Sequence, residues 1–175
     1  MGKPLVALLA AGITVAMNGC GIARPDVPES LKAPAGEKVI LVGHATGVQI
    51  YVCQSGVNAP FAWILTAPEA DLTDSSGKKI MHHFAGPTWK HIDRSEVVGK
   101  KVAQQDAPKP DAIPWLLLKA TSHAGQGVLT PVTSIQRIHT EGGTQRGADT
   151  CNASTSGREF RSPYSADYYF YAPKK

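Results

Sequence analysis

Histidines are the side chains of this sequence best suited to do chemistry, and two of them bracket a short turn signal. His82 and His91 flank Gly86-Pro87, a pair of residues typical of a tight turn, with Phe84 and Trp89 between them. A hairpin symmetric about that pair would place His82 across from His91 and Phe84 across from Trp89. Cross-strand side chains begin about 5 Å apart, so two imidazoles could share one divalent ion with a third ligand. The spacing therefore predicts a candidate metal site.

Several features leave this metal hypothesis open to a simpler interpretation. His83 follows His82 directly and would point to the opposite face of a regular strand, so it could join the candidate ligands only at a bulge. A third ligand would have to be His44, His139 or a carboxylate. In the alternative interpretation, the aromatic residues pack in the core, and the histidines are surface or hydrogen-bonded residues. His82, His83 and His91 stay candidate metal ligands, and no other cofactor is predicted.

A second candidate site comes from two long polar side chains inside an apolar run. Gln136 and Arg137 interrupt residues 132–139, which otherwise resemble a strand. An arginine on a sheet face usually reaches the rim or pairs with a carboxylate, so Arg137 could hold a carboxylate or sugar ligand. Together with His83 and Trp89, these residues form the predicted ligand-binding set.

Familiar catalytic motifs are missing from the sequence. Gly-x-Ser-x-Gly, His-Glu-x-x-His, Cys-x-x-Cys and the phosphate-binding loop do not occur. The scattered carboxylates, for example Glu69, Asp71, Asp93 and Glu96, have no spacing that selects a catalytic pair. We therefore expect a non-catalytic protein that binds a small molecule, a glycan or an envelope component. The alternative is a histidine-based metal-binding protein or metal-dependent enzyme.

Short apolar segments separated by turn residues must position these side chains. Residues 48–53 alternate as a half-buried strand does, and no segment has a sustained 3.6-residue apolar period. The 13 prolines and 17 glycines would interrupt long helices. We predict an all-β, single-domain antiparallel sandwich or partly closed barrel of about eight to ten strands, with long loops and at most short helical turns, one of them near 68–72. The predicted strands are 39–42, 48–53, 61–67, 79–84, 88–92, 97–103, 113–120, 128–139 and 164–171.

The start of the chain predicts export. Lys3 precedes an apolar run from Pro4 to Met17, which Asn18-Gly19-Cys20 follows, and this is the layout of a signal peptide over residues 1–19. A cysteine behind Gly19 resembles the lipid-acceptor residue of bacterial lipoproteins, and cleavage nearby, for example after Ala23, is the alternative. We expect a flexible spacer over 20–36, a single β domain over 37–173, and a location in the periplasm or cell envelope, lipid-anchored or secreted.

The remaining cysteines predict a disulfide. With Cys20 set aside, Cys53 and Cys151 are left to pair in an oxidising compartment. That bond would pin the polar loop 140–159, which is long for a compact domain. The formal net charge of +4 comes from scattered lysine pairs rather than a basic stripe, so nucleic acid is not an expected partner and a membrane is expected only through the lipid anchor.

Several long motifs together resemble the domain of unknown function 3455, a family of exported bacterial and fungal proteins. The resemblance runs from about Val27 to the C-terminus and implies a secreted, mainly β domain without an established reaction or ligand. It also implies that Cys53 and Cys151 belong to the family pattern and that His83 matters more than His82 or His91. The motifs occupy residues 47–53, 67–72, 83–89, 112–118, 135–137, 140–143 and 164–171.

One position departs from that resemblance. Such sequences commonly have Asp-Gly-Ser after the Trp89 motif, whereas this chain has Asp93-Arg94-Ser95. Glycine adopts left-handed backbone angles without steric cost. Its replacement by Arg94 puts the expected tight turn in doubt.

Overall fold

A computed structural model describes residues 21–56 and 59–175 of the chain. The predicted signal peptide over 1–19 and the predicted lipid-acceptor Cys20 lie outside the described residues. Within the described ranges, no helix has the length and apolar character needed to cross a membrane.

Eight antiparallel strands form one closed ring in chain order, because the last strand pairs with the first. The prediction of an all-β antiparallel domain is confirmed. Helical structure in the described residues is confined to short 3₁₀ turns at Glu29–Leu31, Ala148–Thr150 and Ala153–Thr155. The strands are β1 (Glu37–Ser55), β2 (Phe61–Thr73), β3 (Lys79–Phe84), β4 (Thr88–His91), β5 (Glu96–Gln105), β6 (Trp115–Ala124), β7 (Ser134–Gly142) and β8 (Glu159–Pro173).

The expected helical turn near 68–72 is wrong, because these residues belong to β2. Gly47 of β1 pairs with Ala70 of β2 in regular antiparallel register. Pro68 is tolerated in this strand because, at that level, β2 has β1 on one side and no strand pairing on the other.

The ring is uneven because its third and fourth strands are short. β2 pairs with β3 only from Ala70 onward, and β5 pairs with β4 only up to Val98. Beyond these points β2 bonds only to β1, and β5 bonds only to β6. The wall therefore has an opening between β2 and β5, next to the tip of the β3–β4 hairpin.

The inner surface of the ring holds the main core. Ala45, Leu72, Met81, Val97 and Phe170 are buried there in one cluster with residues of the β6–β7 connection. At one end a second cluster packs Tyr51, Cys53, Trp63 and Cys151 together. The remaining part of the interior is a cavity.

A segment before β1 covers part of the outer surface. Val27, Leu31 and Ala33 are buried against β5 to β8, so residues 27–34, which lie within the predicted spacer, pack on the ring. The physical reason is that apolar side chains on the outside of β6, β7 and β8 need covering. We call residues 27–34 the outer layer.

Candidate ligand-binding cavity

A cavity of about 500 Å³ occupies the ring next to the opening in its wall. That volume falls within the range of about 300–1,000 Å³ that small-molecule sites span. Inner-face side chains of β1, β6, β7 and β8 form its floor, and the β3–β4 hairpin forms one side. Its lining includes Gln49, Tyr51, Leu65, His83, Trp89, Lys101, Gln104, Ile113, Leu116, Leu118, Arg137 and Tyr168.

The strand register shows that the cavity opens to solvent between β2 and β5. Leu65 pairs with Tyr51, and cross-strand partners point to the same side of a sheet. Tyr51 is buried in the interior, yet Leu65 is 50% exposed. Lys101 is likewise exposed although it pairs with the buried Leu118. These inner-face residues are accessible because no strand covers them.

His83 lies on the cavity wall in a closely defined aromatic environment. Its ring stacks on that of Trp89, with centroids 4.3 Å apart and planes 5° from parallel, and meets the edge of Tyr168 at 5.2 Å. Its Nδ1 lies 2.9 Å from the carbonyl oxygen of Thr88. A carbonyl only accepts, so Nδ1 carries the proton and Nε2 carries a lone pair.

Burial keeps this imidazole neutral. The pKa of His83 is lowered to about 3, and burial is the largest cause. The charge of Arg137 lowers the pKa further, whereas the hydrogen bond to Thr88 opposes the change. At neutral pH the His83 ring is therefore a neutral acceptor at Nε2.

The hairpin register differs from the prediction by one residue, and this brings His83 and Trp89 together. Phe84 pairs with Thr88, so three residues form the loop, with Gly86 in its centre at φ +99°. His83 consequently pairs with Trp89. The predicted alignment of His82 with His91 is wrong, because that alignment required an even-length loop.

The other two histidines of the predicted metal set lie away from each other. His82 pairs with Lys90 and bonds from Nδ1 to Asp71 Oδ1 at 2.9 Å, on the outer side of the ring. His91 pairs with Met81, and its Nδ1 lies 3.0 Å from Asp93 Oδ2. In the described ranges, no three His, Cys, Asp or Glu residues are grouped so that they could hold a metal ion.

Two buried N–H groups of the cavity lining lack a good acceptor. Gln49 Nε2 and Trp89 Nε1 are shielded from solvent and have no well-formed hydrogen bond with a described residue. The Gln49 amide does lie beside the Tyr164 hydroxyl, where it opposes the rise in the pKa of that phenol. An unpaired buried polar group costs about 1–3 kcal/mol, so each such group in a folded protein calls for an explanation. A bound molecule with acceptor atoms would supply the missing partners.

Arg137 contributes a positive charge to the same cavity. Its Nε and Nη2 donate to the carbonyl oxygen of Pro114 at 3.2 and 2.8 Å. It forms no ion pair with any carboxylate of the described residues, and the described lining residues include neither Asp nor Glu. The guanidinium therefore faces the cavity without a protein counter-ion.

Gln136, the neighbour of Arg137, belongs to a different environment. It points to the outer side of β7, where its Nε2 donates to the carbonyl of Leu31 and its Oε1 accepts from the Tyr171 hydroxyl. The structure therefore brings together three members of the predicted ligand-binding set, His83, Trp89 and Arg137, and places Gln136 beneath the outer layer.

Three phenols complete the buried polar part of the interior. The Tyr168 hydroxyl lies 3.4 Å from that of Tyr164, and burial raises the pKa of both groups. Tyr51 donates to the carbonyl of Gly143 at 2.7 Å. Neutral phenols can donate or accept hydrogen bonds toward a ligand.

The disulfide closes one end of the ring near the cavity. Cys53 and Cys151 are bonded as predicted, with Cα atoms 5.4 Å apart. Trp63 Nε1 donates to Thr150 Oγ1 at 2.9 Å and attaches the same loop to β2. The long polar loop is thus pinned over the end of the interior.

Sequence reasoning missed Gln49, Leu65, Lys101 and Tyr168 as lining residues. Alternation in β1 places Gln49 on the face that it shares with Tyr51 and Cys53. A glutamine on a strand face with core residues was the signal that could have identified it as a lining residue. Lys101 gave no such signal, because a lysine in a strand is ordinarily solvated.

The fold and the cavity define an all-β protein whose closed antiparallel ring encloses a small-molecule-sized space. The chain belongs to the family described as Protein of unknown function (DUF3455), whose model matches residues 34–172. No curated protein and no solved structure matches the chain significantly.

Proposed function

We propose that this protein binds a small molecule in the interior of the ring. The observation that carries the proposal is the pair of N–H groups, on Gln49 and Trp89, that lack a well-formed hydrogen bond in the lining of a 500 Å³ cavity. Both side chains are almost completely buried, so water at the protein surface does not satisfy them. A ligand with acceptor atoms would remove this cost on binding, and the cavity has the size for one.

The cavity favours a compact, largely apolar molecule over a glycan. Ile113, Leu116 and Leu118 form apolar walls, and the polar groups cluster around Arg137. Sugars need a dense set of hydrogen-bonding partners, whereas small apolar ligands need only a few placed polar groups for orientation.

Binding without catalysis is the function that His83 supports best. A general base works most efficiently when its pKa lies near the operating pH. Because the pKa of His83 is lowered to about 3, the ring is a weak base at neutral pH. Its stacking on Trp89 and its bond to Thr88 suit a fixed wall with one acceptor atom.

A matched pair of substitutions on one strand tests the binding proposal. Leu65→Trp enlarges an inner-face side chain at the opening, while Ile64→Trp makes a similar enlargement on the outer face of β2. The probe is N-phenyl-1-naphthylamine, an uncharged fluorophore that brightens in apolar sites. We expect wild type and Ile64→Trp to bind it and Leu65→Trp to bind at least about fivefold more weakly, a difference of about 1 kcal/mol.

Two results would contradict the proposal. One is a wild-type protein that leaves the fluorescence of the probe unchanged. The other is an equal loss of affinity in both variants, which would place the probe outside the cavity.

We further propose that the protein acts outside the cytoplasm, in the bacterial periplasm or cell envelope. The signal-like segment before Cys20 supports this location, and the Cys53–Cys151 disulfide is compatible with an oxidising compartment. Expression in a bacterium followed by fractionation and mass measurement tests it. We expect a processed protein with lipid on Cys20, which the Cys20→Ala variant lacks, and an unprocessed cytoplasmic product would contradict export.

A further inference from the structure

We infer that the ligand of the cavity is an organic carboxylate with a flat apolar body, and that its carboxylate is directed at Arg137. This inference rests on the proposed small-molecule function and narrows it to one chemical class. Charge, hydrogen-bond donors and wall shape support it independently.

The charged groups of the inner face are all positive. Arg137 pairs with Leu116 across β6 and β7, which places it on the inner side of the ring, and it lacks a carboxylate partner among the described residues. Lys101 pairs with Leu118 and lies on the same inner side at the opening, where its Nζ donates to Gln104 Oε1 at 2.6 Å. With no acidic residue among the described lining, the field in the cavity favours an anion.

The unsatisfied groups of the lining are donors. Gln49 Nε2 and Trp89 Nε1 each present an N–H without a well-formed hydrogen bond, although the Gln49 amide lies beside the Tyr164 hydroxyl. The Arg137 guanidinium bonds to neutral partners, the Pro114 carbonyl and the Tyr168 hydroxyl. A carboxylate provides two oxygens that accept several hydrogen bonds, and bonds to a charged acceptor are stronger than neutral ones. An amine would add further donors and positive charge, so it lacks complementarity to this lining.

The number of donors favours a carboxylate over a phosphate. A phosphate dianion has more oxygens and more charge, and proteins usually hold it with helix N-termini or runs of backbone N–H groups. The cavity is lined by strands and by one deep guanidinium, that of Arg137. One guanidinium and a few neutral donors match the charge of a single carboxylate.

The shape of the walls favours a flat body. His83 and Trp89 stack face to face, with ring centroids 4.3 Å apart and planes 5° from parallel, and Tyr168 meets both rings edge-on. Leu116 and Leu118 lie on other walls of the cavity. A planar ring can stack on an aromatic face of this kind in addition to burying its apolar area.

Three ligands with one body and different head groups test the inference. These are 3-phenylpropanoate, 3-phenylpropan-1-ol and 3-phenylpropan-1-amine, titrated by calorimetry at low and high salt. We expect the carboxylate to bind at least about tenfold more tightly than the alcohol and the amine, as a charge-assisted bond to arginine implies. Added salt should weaken binding of the carboxylate and leave binding of the alcohol unchanged, because salt screens only interactions between charges.

Variants assign the charge preference to the inner face. Arg137→Gln should weaken binding of the carboxylate about tenfold or more and leave the affinity for the alcohol unchanged. Lys101→Gln should weaken binding of the carboxylate about two- to fivefold, since exposed charges contribute little to affinity. Lys119→Gln is the matched control, because Lys119 is exposed on β6 and is not among the described lining residues of the cavity. Lys101→Gln also keeps the test decisive if losing the Arg137 bonds to Pro114 unfolds the first variant.

The outcomes separate this inference from the function on which it rests. Equal affinity for the carboxylate and the alcohol would overturn the inference and leave small-molecule binding intact. Binding of N-phenyl-1-naphthylamine without binding of the carboxylate would do the same. If neither the uncharged probe nor any of the three ligands binds, the proposed function is overturned together with the inference. Equal losses in Lys101→Gln and Lys119→Gln would place the anion outside the ring.

Discussion

Two buried glutamines on opposite sides of the sheet have contrasting surroundings. Gln136 is 1% exposed and Gln49 is 2% exposed. Gln136 donates to the Leu31 carbonyl and accepts from the Tyr171 hydroxyl, whereas Gln49 Nε2 lies beside the Tyr164 hydroxyl without a well-formed hydrogen bond. A satisfied amide holds the outer layer on the ring. An unsatisfied amide next to a cavity indicates a place for a ligand.

The same contrast separates the two regions as a whole. The outer layer is a packed contact in which Val27, Leu31 and Ala33 fill apolar surface, with Trp115 Nε1 beneath it as one buried donor that lacks a partner among the described residues. The cavity keeps donors, a guanidinium and a neutral imidazole around empty space. Proteins retain such unfavourable polar arrangements mainly where function requires them.

The largest expected effect concerns how the cavity end of the ring is closed. The Cys53→Ala/Cys151→Ala double variant removes a bond that spans 98 residues. In the chain-entropy model, losing a loop of that length lowers the free energy of unfolding by about 4–5 kcal/mol. Guanidinium denaturation of the oxidised wild type and the variant measures the difference. A loss below about 1 kcal/mol would show that non-covalent packing closes this end, as it does for the outer layer.

The next effect tests the neutral imidazole of the cavity by pH. The pKa of His83 is about 3 in the fold and about 6.5 when unfolded. Between these values the unfolded chain binds the extra proton, so stability falls as the pH falls. The expected slope is about 1.4 kcal/mol per pH unit from about pH 6 to pH 3.

Urea denaturation at several pH values, compared with His83→Gln, isolates this contribution. The variant keeps a donor for the Thr88 carbonyl and has no titrating ring. Hydrogen bonds lower the carboxyl pKa values of Asp71 and Asp93, while desolvation opposes this change. Protonation of these two carboxylates at lower pH therefore destabilises both proteins. Equal slopes in wild type and variant would contradict a buried, neutral His83.

The two glutamines themselves provide the matched comparison. Gln136→Leu leaves the buried Leu31 carbonyl without its donor and should lower the free energy of unfolding by about 1–3 kcal/mol. Gln49→Leu removes an unpaired donor and should change the stability of the ligand-free protein by less than about 1 kcal/mol. In calorimetry, Gln49→Leu should weaken carboxylate binding while Gln136→Leu leaves it unchanged. Similar stability losses in both variants would remove the distinction between the two regions.

The smallest expected effect lies at a turn outside both regions. Arg94 adopts φ +74° in the β4–β5 turn, which is left-handed backbone that favours glycine. The turn persists without glycine because Asp93 accepts from Ser95 N and Oγ and from Val128 N. Arg94→Gly should raise the free energy of unfolding by about 0.5–1 kcal/mol and leave ligand affinity unchanged, as denaturation and calorimetry would show. A destabilised variant would show that the Arg94 side chain offsets the backbone cost.

Residue patterns were sufficient for the all-β class and for the disulfide, whereas the predicted strands 39–42 and 48–53 are one strand, β1, and the predicted strand 128–139 begins only at Ser134. Alternation at residues 48–53 reports which side chains share a face, because side chains of any strand alternate with a period of two. Two cysteines left after Cys20 form a single possible pair. The hairpin register was mispredicted because a loop of two or of three residues is equally compatible with Ala85 to Thr88.

The sequence by itself determined an antiparallel β domain cross-linked between Cys53 and Cys151, since strand period and cysteine number are local properties of the chain. Only the tertiary structure decided that His83 lies on Trp89, that Arg137 and Gln136 point to opposite sides, and that the wall opens beside Lys101. These features depend on strand pairing and ring closure. Such pairings join residues far apart in the sequence, and a shift of one residue would exchange the inner and outer faces.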